Sequence, residues 1–310
     1  MYRRHSLLLV LSTLALTFLA GSLIAACGDS SSTSSSSDGG TPSATSTFAG
    51  MLPSSVTESG VIKVGTSFPF APMEYYEEDG TTPTGLDVDL MDEAAARLGV
   101  KTEWINMNWD GLILALQSQR FDIIAASMGD FTDRQEKISF VDYLTIGEGV
   151  LVKSVNAAAI TSADALAGKT IGASKGTIAV PIVKDMSTEL VAKGLQPIDL
   201  KQFNGDSLAL TALQSDRIFG HVIDMPVGAW EAKTAGDGKL YSVVLPNITG
   251  GIPYGFGFRK DDTGLGQALE GALNEMIADG TYAEILAKYG LSGGAIDQAV
   301  INGGTTASGN

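Results

Sequence analysis

The first candidate for chemistry is Arg134, a cation placed shortly after an apolar run. The run at residues 121–126 is typical of a buried strand, and Thr132 marks a helix start just beyond it. A guanidinium held there can bind a carboxylate through two parallel hydrogen bonds. The alternative is a surface ion pair of Arg134 with Asp133 or Glu136, and sequence position alone favours that alternative.

Two further positions stand at the ends of predicted elements. Asp224 ends a short strand predicted at residues 221–224, and by itself it indicates a helix cap or a turn acid before Pro226. Gly176 and Thr177 open a predicted helix, and the free backbone N–H groups of a helix start can bind an anion. Thr177 would equally serve as an ordinary helix cap.

The sequence excludes several other kinds of site. It contains one cysteine, Cys27, and two histidines, His5 and His221, so an intrachain disulfide and a Cys-rich zinc site are impossible. No GxxxxGK[ST] phosphate-binding loop occurs. A Ser-His-Asp triad would have to use His221, which lies inside a predicted strand. We therefore expect no metal, no cofactor and no enzymatic activity.

Length and charge indicate the class of protein. The 310 residues suffice for two domains and a large core, and the 44% of hydrophobic residues is typical of a globular protein. The 35 acidic and 20 basic residues give a formal net charge of −15, the opposite of the balance in nucleic-acid-binding proteins. We therefore expect no nucleic-acid partner.

The first 26 residues have the pattern of an export signal. Arg3 and Arg4 precede a long apolar stretch, and residues 23–26 read Leu-Ile-Ala-Ala immediately before Cys27. This ending resembles a lipobox, where cleavage before the cysteine accompanies attachment of a diacylglyceryl group to its sulfur. We predict a lipoprotein signal peptide at residues 1–26, with Sec export as the default over twin-arginine export. An uncleaved transmembrane anchor is the alternative.

Two segments of low hydrophobicity flank the part of the chain that is expected to fold. Residues 27–52, rich in Ser, Thr and Gly, are predicted to form a linker that begins at lipidated Cys27. Residues 292–310, rich in Gly, Ser and Thr, are predicted to form a flexible tail. Two lipid chains on one cysteine would hold the protein firmly at a membrane surface.

Strands and helices alternate between these segments. Strands are predicted at residues 61–64, 101–105, 121–126, 143–153, 169–173, 221–224 and 255–258. Helices are predicted at residues 86–98, 111–119, 163–167, 176–185, 207–215, 265–278 and 283–289. This alternation predicts an α/β fold with open, mostly parallel sheets, in which ligands bind at the carboxyl ends of strands.

Six motifs occur in an order that is typical of one family. They are VIKVGTSFPFAPMEY (61–75), GLDVDLMDEAAARLGV (85–100), WDGLILALQSQRFDIIAASMGDFTDRQEKISFVDY (109–143), LAGKTIGASKGT (166–177), YGFGFRKDD (254–262) and ALNEMIADGTYAEILAKYG (272–290). Over about residues 60–291 the chain resembles the extracytoplasmic solute-binding proteins of polar amino-acid ABC transporters, which are the family 3 bacterial solute-binding proteins. The lipobox and linker fit the lipoprotein form of that family.

The resemblance implies a two-lobed α/β fold of the type II periplasmic-binding-protein class. It has two hinge strands and a discontinuous first lobe. Lobe 1 would comprise residues 53–146 and 247–291, and lobe 2 would comprise residues 147–246. The ligand would bind in the cleft between the lobes, which would close on it by hinge bending.

The resemblance also assigns roles in binding the two charged groups of an amino acid. The ligand carboxylate would be bound by Arg134, by the backbone N–H of Gly129 and by the turn at residues 176–178. Many relatives have Ser or Thr in place of Gly129, so that only the backbone donor remains here. The ligand ammonium would be bound by Asp224 and by the hydroxyl oxygen of Ser127.

Two aromatic residues and one small polar residue would surround the ligand side chain. Phe70 and Trp109 match the positions that sandwich it, with Phe68 as the competitor for Phe70. Ser67 stands where several relatives have Asp, which favours a neutral polar or apolar ligand over a cationic one, although Glu74 could partly restore the charge together with Lys175. The full predicted set of ligand-binding residues is Ser67, Phe70, Trp109, Ser127, Met128, Gly129, Arg134, Gly176, Thr177, Ile178 and Asp224.

The resemblance finally implies a cellular role. The protein would be a monomer, anchored by its lipid to the outer face of the cytoplasmic membrane or placed in a periplasm. It would capture an amino acid there and deliver it to the membrane subunits of an ABC transporter. The alternatives are a ligand-binding sensor component and a dehydratase-like enzyme on the same fold.

Overall fold

The computed structural model of the protein describes residues 46–306, and all structural statements refer to this part of the chain. Its strands are β1 (Val61–Thr66), β2 (Tyr75–Tyr76), β3 (Pro83–Thr84), β4 (Lys101–Asn106), β5 (Ile123–Ile124), β6 (Ser139–Ile146), β7 (Glu148–Lys153), β8 (Thr170–Ser174), β9 (Asp199–Phe203), β10 (Gly220–Asp224), β11 (Tyr241–Val244) and β12 (Ile252–Phe258). Its α-helices are α1 (Ser54–Ser59), α2 (Leu86–Arg97), α3 (Leu112–Gln117), α4 (Thr132–Gln135), α5 (Ser154–Ala157), α6 (Ala179–Ala192), α7 (Asp206–Gln214), α8 (Met225–Thr234), α9 (Thr263–Asp279) and α10 (Thr281–Lys288). Short 3₁₀ helices lie at Thr47–Met51, Trp109–Gly111, Ala163–Leu166 and Ser292–Gly294.

Two five-stranded sheets organise the described chain. The first has the strand order β4-β1-β5-β12-β6, and the second has the order β11-β7-β10-β8-β9. In the first sheet β1 runs parallel to β4 and β5, whereas β12 is antiparallel to β5 and β6. In the second sheet β8 runs parallel to β9 and β10, whereas β7 is antiparallel to β10 and β11.

The prediction of mostly parallel sheets is therefore wrong, because half of the neighbouring pairs in each sheet are antiparallel. Parallel neighbours require a crossover, usually a helix, between them. The chain changes sheets between β6 and β7 and again between β11 and β12, and neither connection contains a helix. Strands β7 and β12 thus enter their sheets without a preceding crossover helix, and they run antiparallel to their neighbours.

The two passages between the sheets lie side by side. Only Gly147 separates the end of β6 from the start of β7, and residues 245–251 return the chain from β11 to β12. A Cβ atom at Gly147 would collide with the side chain of Asn247 and with the carbonyl oxygen of Gly250. A residue without a side chain is needed for this close approach. We propose these passages as the boundaries between the two lobes.

The first sheet is covered by helices with regular apolar spacing. In α2 the side chains of Leu86, Leu90 and Ala94 are fully buried, as expected for residues that recur at helical spacing on one face. Helix α9 packs on the same core through buried residues such as Leu269. Burial of each such leucine stabilises the fold by about 1.5–3 kcal/mol relative to exposure.

The second sheet has its own apolar cluster. Val150 of β7, Ile171 of β8 and Val222 of β10 are buried there, together with Val183 of α6. Because each sheet covers a core with its own helices, the strand ends that lie between the sheets remain available for polar side chains.

Several element predictions differ from the structure. Only Ile123 and Ile124 of the run 121–126 pair as a strand, and the extended run 143–153 belongs to two strands, β6 and β7. The helix predicted to begin at Gly176 begins at Ala179, because Gly176 has a φ of 75° that does not continue into a helix. Strands β9 and β11 and helix α8 were not predicted, since their apolar residues do not recur with a clear period.

The interpretation of residues 27–52 as a linker is wrong for residues 46–52. The 3₁₀ helix at Thr47–Met51 packs against α9, where the ring of Phe48 occupies the space that a side chain at Gly271 would need. Ser46 is buried, and its hydroxyl donates a hydrogen bond to Glu275 at 3.1 Å. A single aromatic residue and one hydroxyl thus order a segment whose composition is otherwise typical of a linker.

The interpretation of residues 292–310 as a flexible tail is wrong for residues 292–306. Ile301 pairs with Val141 at the edge of β6, and the backbone N–H of Gly304 donates to the Asp130 carboxylate at 2.8 Å. The N–H of Gly303 likewise donates to Asp142 at 3.1 Å. Glycines let this backbone approach buried carboxylates closely, so the same composition that indicates flexibility here serves a fixed contact.

The predictions for the amino-terminal end lie outside the described residues. These are the signal peptide at residues 1–26, the lipidation of Cys27 and the linker up to residue 45. Within residues 46–306 the structure contains no helix with the length and apolar character needed to cross a bilayer.

Candidate functional site

A cavity of about 220 Å³ lies between strand ends of the two sheets. Its walls come from both sides of the passages at Gly147 and residues 245–251, so that both proposed lobes contribute to it. Nine of the eleven predicted ligand-binding residues line it, namely Ser67, Phe70, Trp109, Ser127, Gly129, Arg134, Thr177, Ile178 and Asp224.

Arg134 is buried and has only uncharged hydrogen-bond partners. Its guanidinium donates to the carbonyl oxygen of Gly129 at 2.8 Å and to that of Gly176 at 3.2 Å. Its Cζ lies 5.0 Å from the ring centroids of both Trp109 and Phe131. Arg134 forms no ion pair with another described residue. The alternative of a surface arginine is therefore wrong.

Burial of this cation has an electrostatic cost. Removal from water lowers the pKa of Arg134 to about 10, while Tyr254 and Asp133 act in the opposite direction. A buried charge that has only carbonyl partners gains most from an anion that brings its own charge. The cavity thus offers a prepared position for a carboxylate beside Arg134.

The turn at residues 176–178 approaches Arg134 from the second sheet. Gly176 does not line the cavity, but its carbonyl accepts the bond from Arg134, and a side chain at Gly176 would touch the ring of Trp109. The Thr177 hydroxyl donates to the carbonyl of Ser174 at 2.8 Å and accepts from the N–H of Ala179 at 3.3 Å. The hydroxyl of Thr177 thus accepts from the first backbone N–H of α6, one residue before the N-cap Ile178, and a role of this turn in binding an anion stays a prediction.

Two carboxyl groups lie together in the wall of the cavity. Asp224 ends β10 and faces Glu148, the first residue of β7, as its direct antiparallel partner. Burial raises the pKa of Asp224 to about 6, and interactions with the side chains of Glu148 and Tyr254 lower it in part. Burial, followed by the charge of Asp224, raises the pKa of Glu148 well above its usual value. This wall attracts a cation.

A third buried carboxyl, Glu74, lies beside Ser127. The Ser127 hydroxyl donates to one oxygen of Glu74 at 3.2 Å, and its N–H donates to Asp87 at 2.8 Å. The other oxygen of Glu74 is buried without a hydrogen-bond partner among the described residues. Burial, followed by the charge of Asp87, raises the pKa of Glu74 well above its usual value. Ser127 itself has a φ of 50°, which turns the chain away from β5.

Met128 is the second predicted residue, after Gly176, that does not line the cavity. Its side chain is fully buried in an apolar cluster with Leu112 and Phe140. Its neighbours Ser127 and Gly129 line the cavity, whereas Met128 does not. Phe68 lines the cavity together with Phe70, and the two aromatic alternatives for this wall are both present.

His221 is enclosed behind the cavity wall. Its side chain is 0% exposed, with Nδ1 3.1 Å from the carbonyl oxygen of Gly172 and Nε2 2.6 Å from a carboxylate oxygen of Asp206. Both ring nitrogens are thus occupied within the protein. Asp206 itself lines the cavity at the start of α7.

Sequence reasoning missed most of the carboxyl groups that line the cavity. Glu148, Asp206 and Tyr254 line the cavity but were not predicted to do so, and Glu74 was predicted only to restore charge. The sequence offers one signal for Glu148, a carboxylate directly before the apolar run 149–152, but this signal does not say whether the side chain is buried. The charged lining residues are Glu74, Asp110, Arg134, Glu148, Lys175, Asp206 and Asp224. Among the described residues no three His, Cys, Asp or Glu side chains converge to hold a metal ion.

Comparisons with known proteins agree with this architecture. The family model of the bacterial extracellular solute-binding proteins, family 3, matches residues 62–292. The arginine-binding protein ArgT of Corynebacterium glutamicum is 28% identical over 253 residues, which cover 81% of this chain and 81% of ArgT. The L-cystine-binding protein TcyA of Bacillus subtilis is 30% identical over 240 residues, which cover 77% of this chain and 85% of TcyA. A solved structure of an ancestral arginine-binding protein bound to arginine matches with a TM-score of 0.68 and 32% identity, over 74% of this chain and 98% of that one.

Proposed function

The chain belongs to the family 3 bacterial extracellular solute-binding proteins, and from this membership we propose that it binds an amino acid in the cavity between its lobes for delivery to an ABC transporter. Its fold is the two-lobed α/β fold of the type II periplasmic binding proteins. The relatives ArgT and TcyA are named for the amino acids that they bind, arginine and cystine.

One observation carries this proposal: the cavity is lined both by buried Arg134, which forms no ion pair with another described residue, and by the paired carboxyl groups of Asp224 and Glu148. A zwitterion brings a carboxylate to Arg134 and an ammonium group to Asp224 and Glu148. Each charge of the ligand then replaces its lost hydration with an opposite charge. A ligand with only one of these groups leaves either Arg134 or the pair Asp224 and Glu148 without an opposite charge.

We further propose that the ligand side chain is cationic. The expectation of a neutral side chain rested on Ser67, and the arginine-binding relatives weigh against it. Glu74 supplies a buried carboxylate with one unpartnered oxygen in the same cavity. If Arg134 and Asp224 hold the two charges that all amino acids share, Glu74 remains for the charge of the side chain.

The aromatic residues of the cavity suit such a side chain. Phe70 and Trp109 line the wall near Ser67, and aromatic faces attract cations as well as aliphatic stems. An arginine or lysine side chain combines both features.

For the cellular setting we propose a monomer that is attached to the outer face of the membrane by lipid on Cys27. The lipobox-like residues 23–27 support this proposal. We expect the full chain to be recovered with membranes and a Cys27→Ala variant to be released into the extracytoplasmic fraction. Retention of Cys27→Ala in the membrane would instead favour an uncleaved anchor.

The function is tested by a thermal-shift screen of the full chain in detergent against the twenty common amino acids. A ligand that binds only the folded form raises the melting temperature progressively with its concentration. We expect arginine or lysine to give the largest shift. Absence of a shift with every amino acid would contradict the proposed function, and chemical change of an amino acid in the same mixtures would favour the dehydratase-like alternative.

A further inference from the structure

Glu148 occupies a special place in the fold. It is the first residue after Gly147, where the chain passes from one sheet to the other. It is the direct cross-strand partner of Asp224, and opposed residues of an antiparallel pair project to the same face of the sheet. Both residues line the cavity.

The Glu148 carboxyl is buried without a compensating cation. The residue is 2% exposed, and one of its carboxyl oxygens has no hydrogen-bond partner among the described residues. Its backbone N–H donates to the hydroxyl of Thr249 on the return passage at 3.2 Å. Neither Glu148 nor Asp224 forms an ion pair with a described lysine or arginine.

The groups that face the pair are mostly acidic. Asp206 of α7 acts on Glu148 and Asp224 with the same sign of charge, as Glu74 and Asp87 do on Asp224. Tyr254 of β12 interacts with Asp224, and the cation Arg134 of α4 and His221 of β10 act on Asp224 with the opposite sign. Two neighbouring carboxyl groups in a poorly hydrated site do not both ionise unless a cation joins them. Burial raises the pKa of both groups, which favours one shared proton in the unliganded protein.

We propose that Glu148 and Asp224 together form the site for the ligand's ammonium group, which replaces the proton that the two carboxyls share. The proposal rests on the proposed amino-acid-binding function and adds Glu148 to Asp224 as a binding residue. The exchange is balanced in charge: one ammonium group enters with its positive charge, and one proton leaves to the solvent. An ammonium group has three donors, so two carboxylates can both accept from it.

Proton exchange makes binding depend on pH in a defined direction. While the empty pair holds one proton that the liganded pair lacks, the dissociation constant falls about tenfold for each unit rise in pH. Replacement of Glu148 by Gln removes the like charge that keeps the shared proton. Above the pKa of about 6 that burial gives Asp224, this residue is then ionised before the ligand arrives, and binding no longer requires release of a proton.

The test is calorimetric titration of the full chain in detergent from pH 6.5 to 8.0, above the pKa of about 6 of Asp224, with L-arginine or with whichever common amino acid gives the largest thermal shift. Two buffers of different ionisation enthalpy at each pH report the protons released. For the unmodified chain we expect release of about one proton per ligand and about a tenfold gain in affinity per pH unit. For Glu148→Gln we expect release near zero and a nearly flat affinity profile.

The matched control is Glu231→Gln, a half-buried glutamate on α8 outside the cavity, which should keep the slope of the unmodified chain. A flat profile for the unmodified chain would overturn the proposal. So would an unchanged slope in Glu148→Gln, since the released proton would then come from another group such as Glu74. Absence of binding by every amino acid contradicts the proposed function itself, whereas binding without proton release contradicts only the role of Glu148.

Discussion

Arg134 of the first lobe donates a hydrogen bond to the carbonyl oxygen of Gly176 in the second lobe, over a distance of 3.2 Å. This bond connects the two walls of the cavity through the residue that is predicted to bind the ligand carboxylate. A carbonyl is a weaker partner for a guanidinium than a carboxylate is. We therefore predict that a carboxylate bound at Arg134 strengthens the connection that this hydrogen bond makes between the proposed lobes.

Replacement of Arg134 by Ala should abolish most of the affinity for amino acids. Loss of one partner of a buried charge pair costs about 2–5 kcal/mol, which corresponds to a roughly 30-fold or larger rise in the dissociation constant. Calorimetric titration of the full chain measures this change. An Arg120→Ala variant, which alters an exposed arginine outside the cavity, should bind as the unmodified chain does. Full affinity in Arg134→Ala would contradict its role.

Replacement of Glu74 by Gln should change the preference between ligands. A hydrogen bond to a charged group contributes about 1.5–3 kcal/mol, so the affinity for L-arginine should fall roughly 10- to 100-fold. The affinity for L-glutamine, whose side chain is uncharged, should change little. The exposed Glu77→Gln is the control. An equal loss of affinity for both ligands would show that Glu74 interacts with the ammonium and carboxylate groups that all amino acids share.

A side chain at Gly147 should destabilise the protein. Its Cβ atom would collide with Asn247 and with the carbonyl of Gly250, and overpacking of this kind costs about 1–3 kcal/mol. Urea denaturation should show a lower midpoint for Gly147→Ala. The control is Gly50→Ala, because a Cβ atom there would meet no neighbour within 4 Å. Equal midpoints for both variants would show that the two passages between the sheets can separate freely.

The free energy of unfolding should decrease as the pH rises from acidic to mildly alkaline, in part because of Asp142. Burial, followed by the charge of Asp130, raises the pKa of Asp142 to about 8. The folded protein thus keeps a proton that the unfolded chain releases, so the stabilisation is complete below the ordinary pKa of aspartate and is lost as the pH rises to about 8. Asp142→Asn should make the free energy of unfolding less dependent on pH between 5 and 8.

Urea denaturation across this pH range measures the slope. The control for Asp142→Asn is Asp79→Asn, since hydrogen bonds from Thr82 hold the pKa of the exposed Asp79 at about 2, well below the range tested. A slope unchanged by Asp142→Asn would show that Asp142 is ionised in the folded protein.

The resemblance to the family placed Arg134 and Asp224 in the cavity, whereas local pattern favoured a surface ion pair for Arg134 and a helix cap or turn acid for Asp224. Ser127 and Gly129 belong to the same motif as Arg134, and both line the cavity. Met128 lies between them but is buried in the apolar cluster, and the motif alone did not show this. Beyond the end of β5 at Ile124, the direction of each side chain depends on backbone angles such as the φ of 50° at Ser127, which sequence pattern does not reveal.

The burial of the carboxyl groups that line the cavity could not be predicted, because it depends on contacts between distant segments. Glu148 is buried since the chain changes sheets one residue earlier, and Glu74 is buried since Ser127, 53 residues away, covers it. The Phe48 and Gly304 contacts have the same origin. Burial of a carboxylate or a glycine-rich segment is decided by its tertiary partners, and a single sequence does not display those partners.

The carboxyl-terminal segment also has a consequence for the order in which the molecule is completed. The backbone N–H of Thr132, at the start of the helix that carries Arg134, donates to the carbonyl of Thr306, and Gln135 donates to that of Gly304. Chains are synthesised from their amino terminus, so these hydrogen bonds form only after residues 304 and 306 have been synthesised. A growing chain would therefore contain Arg134 long before that arginine is held firmly enough to select a ligand.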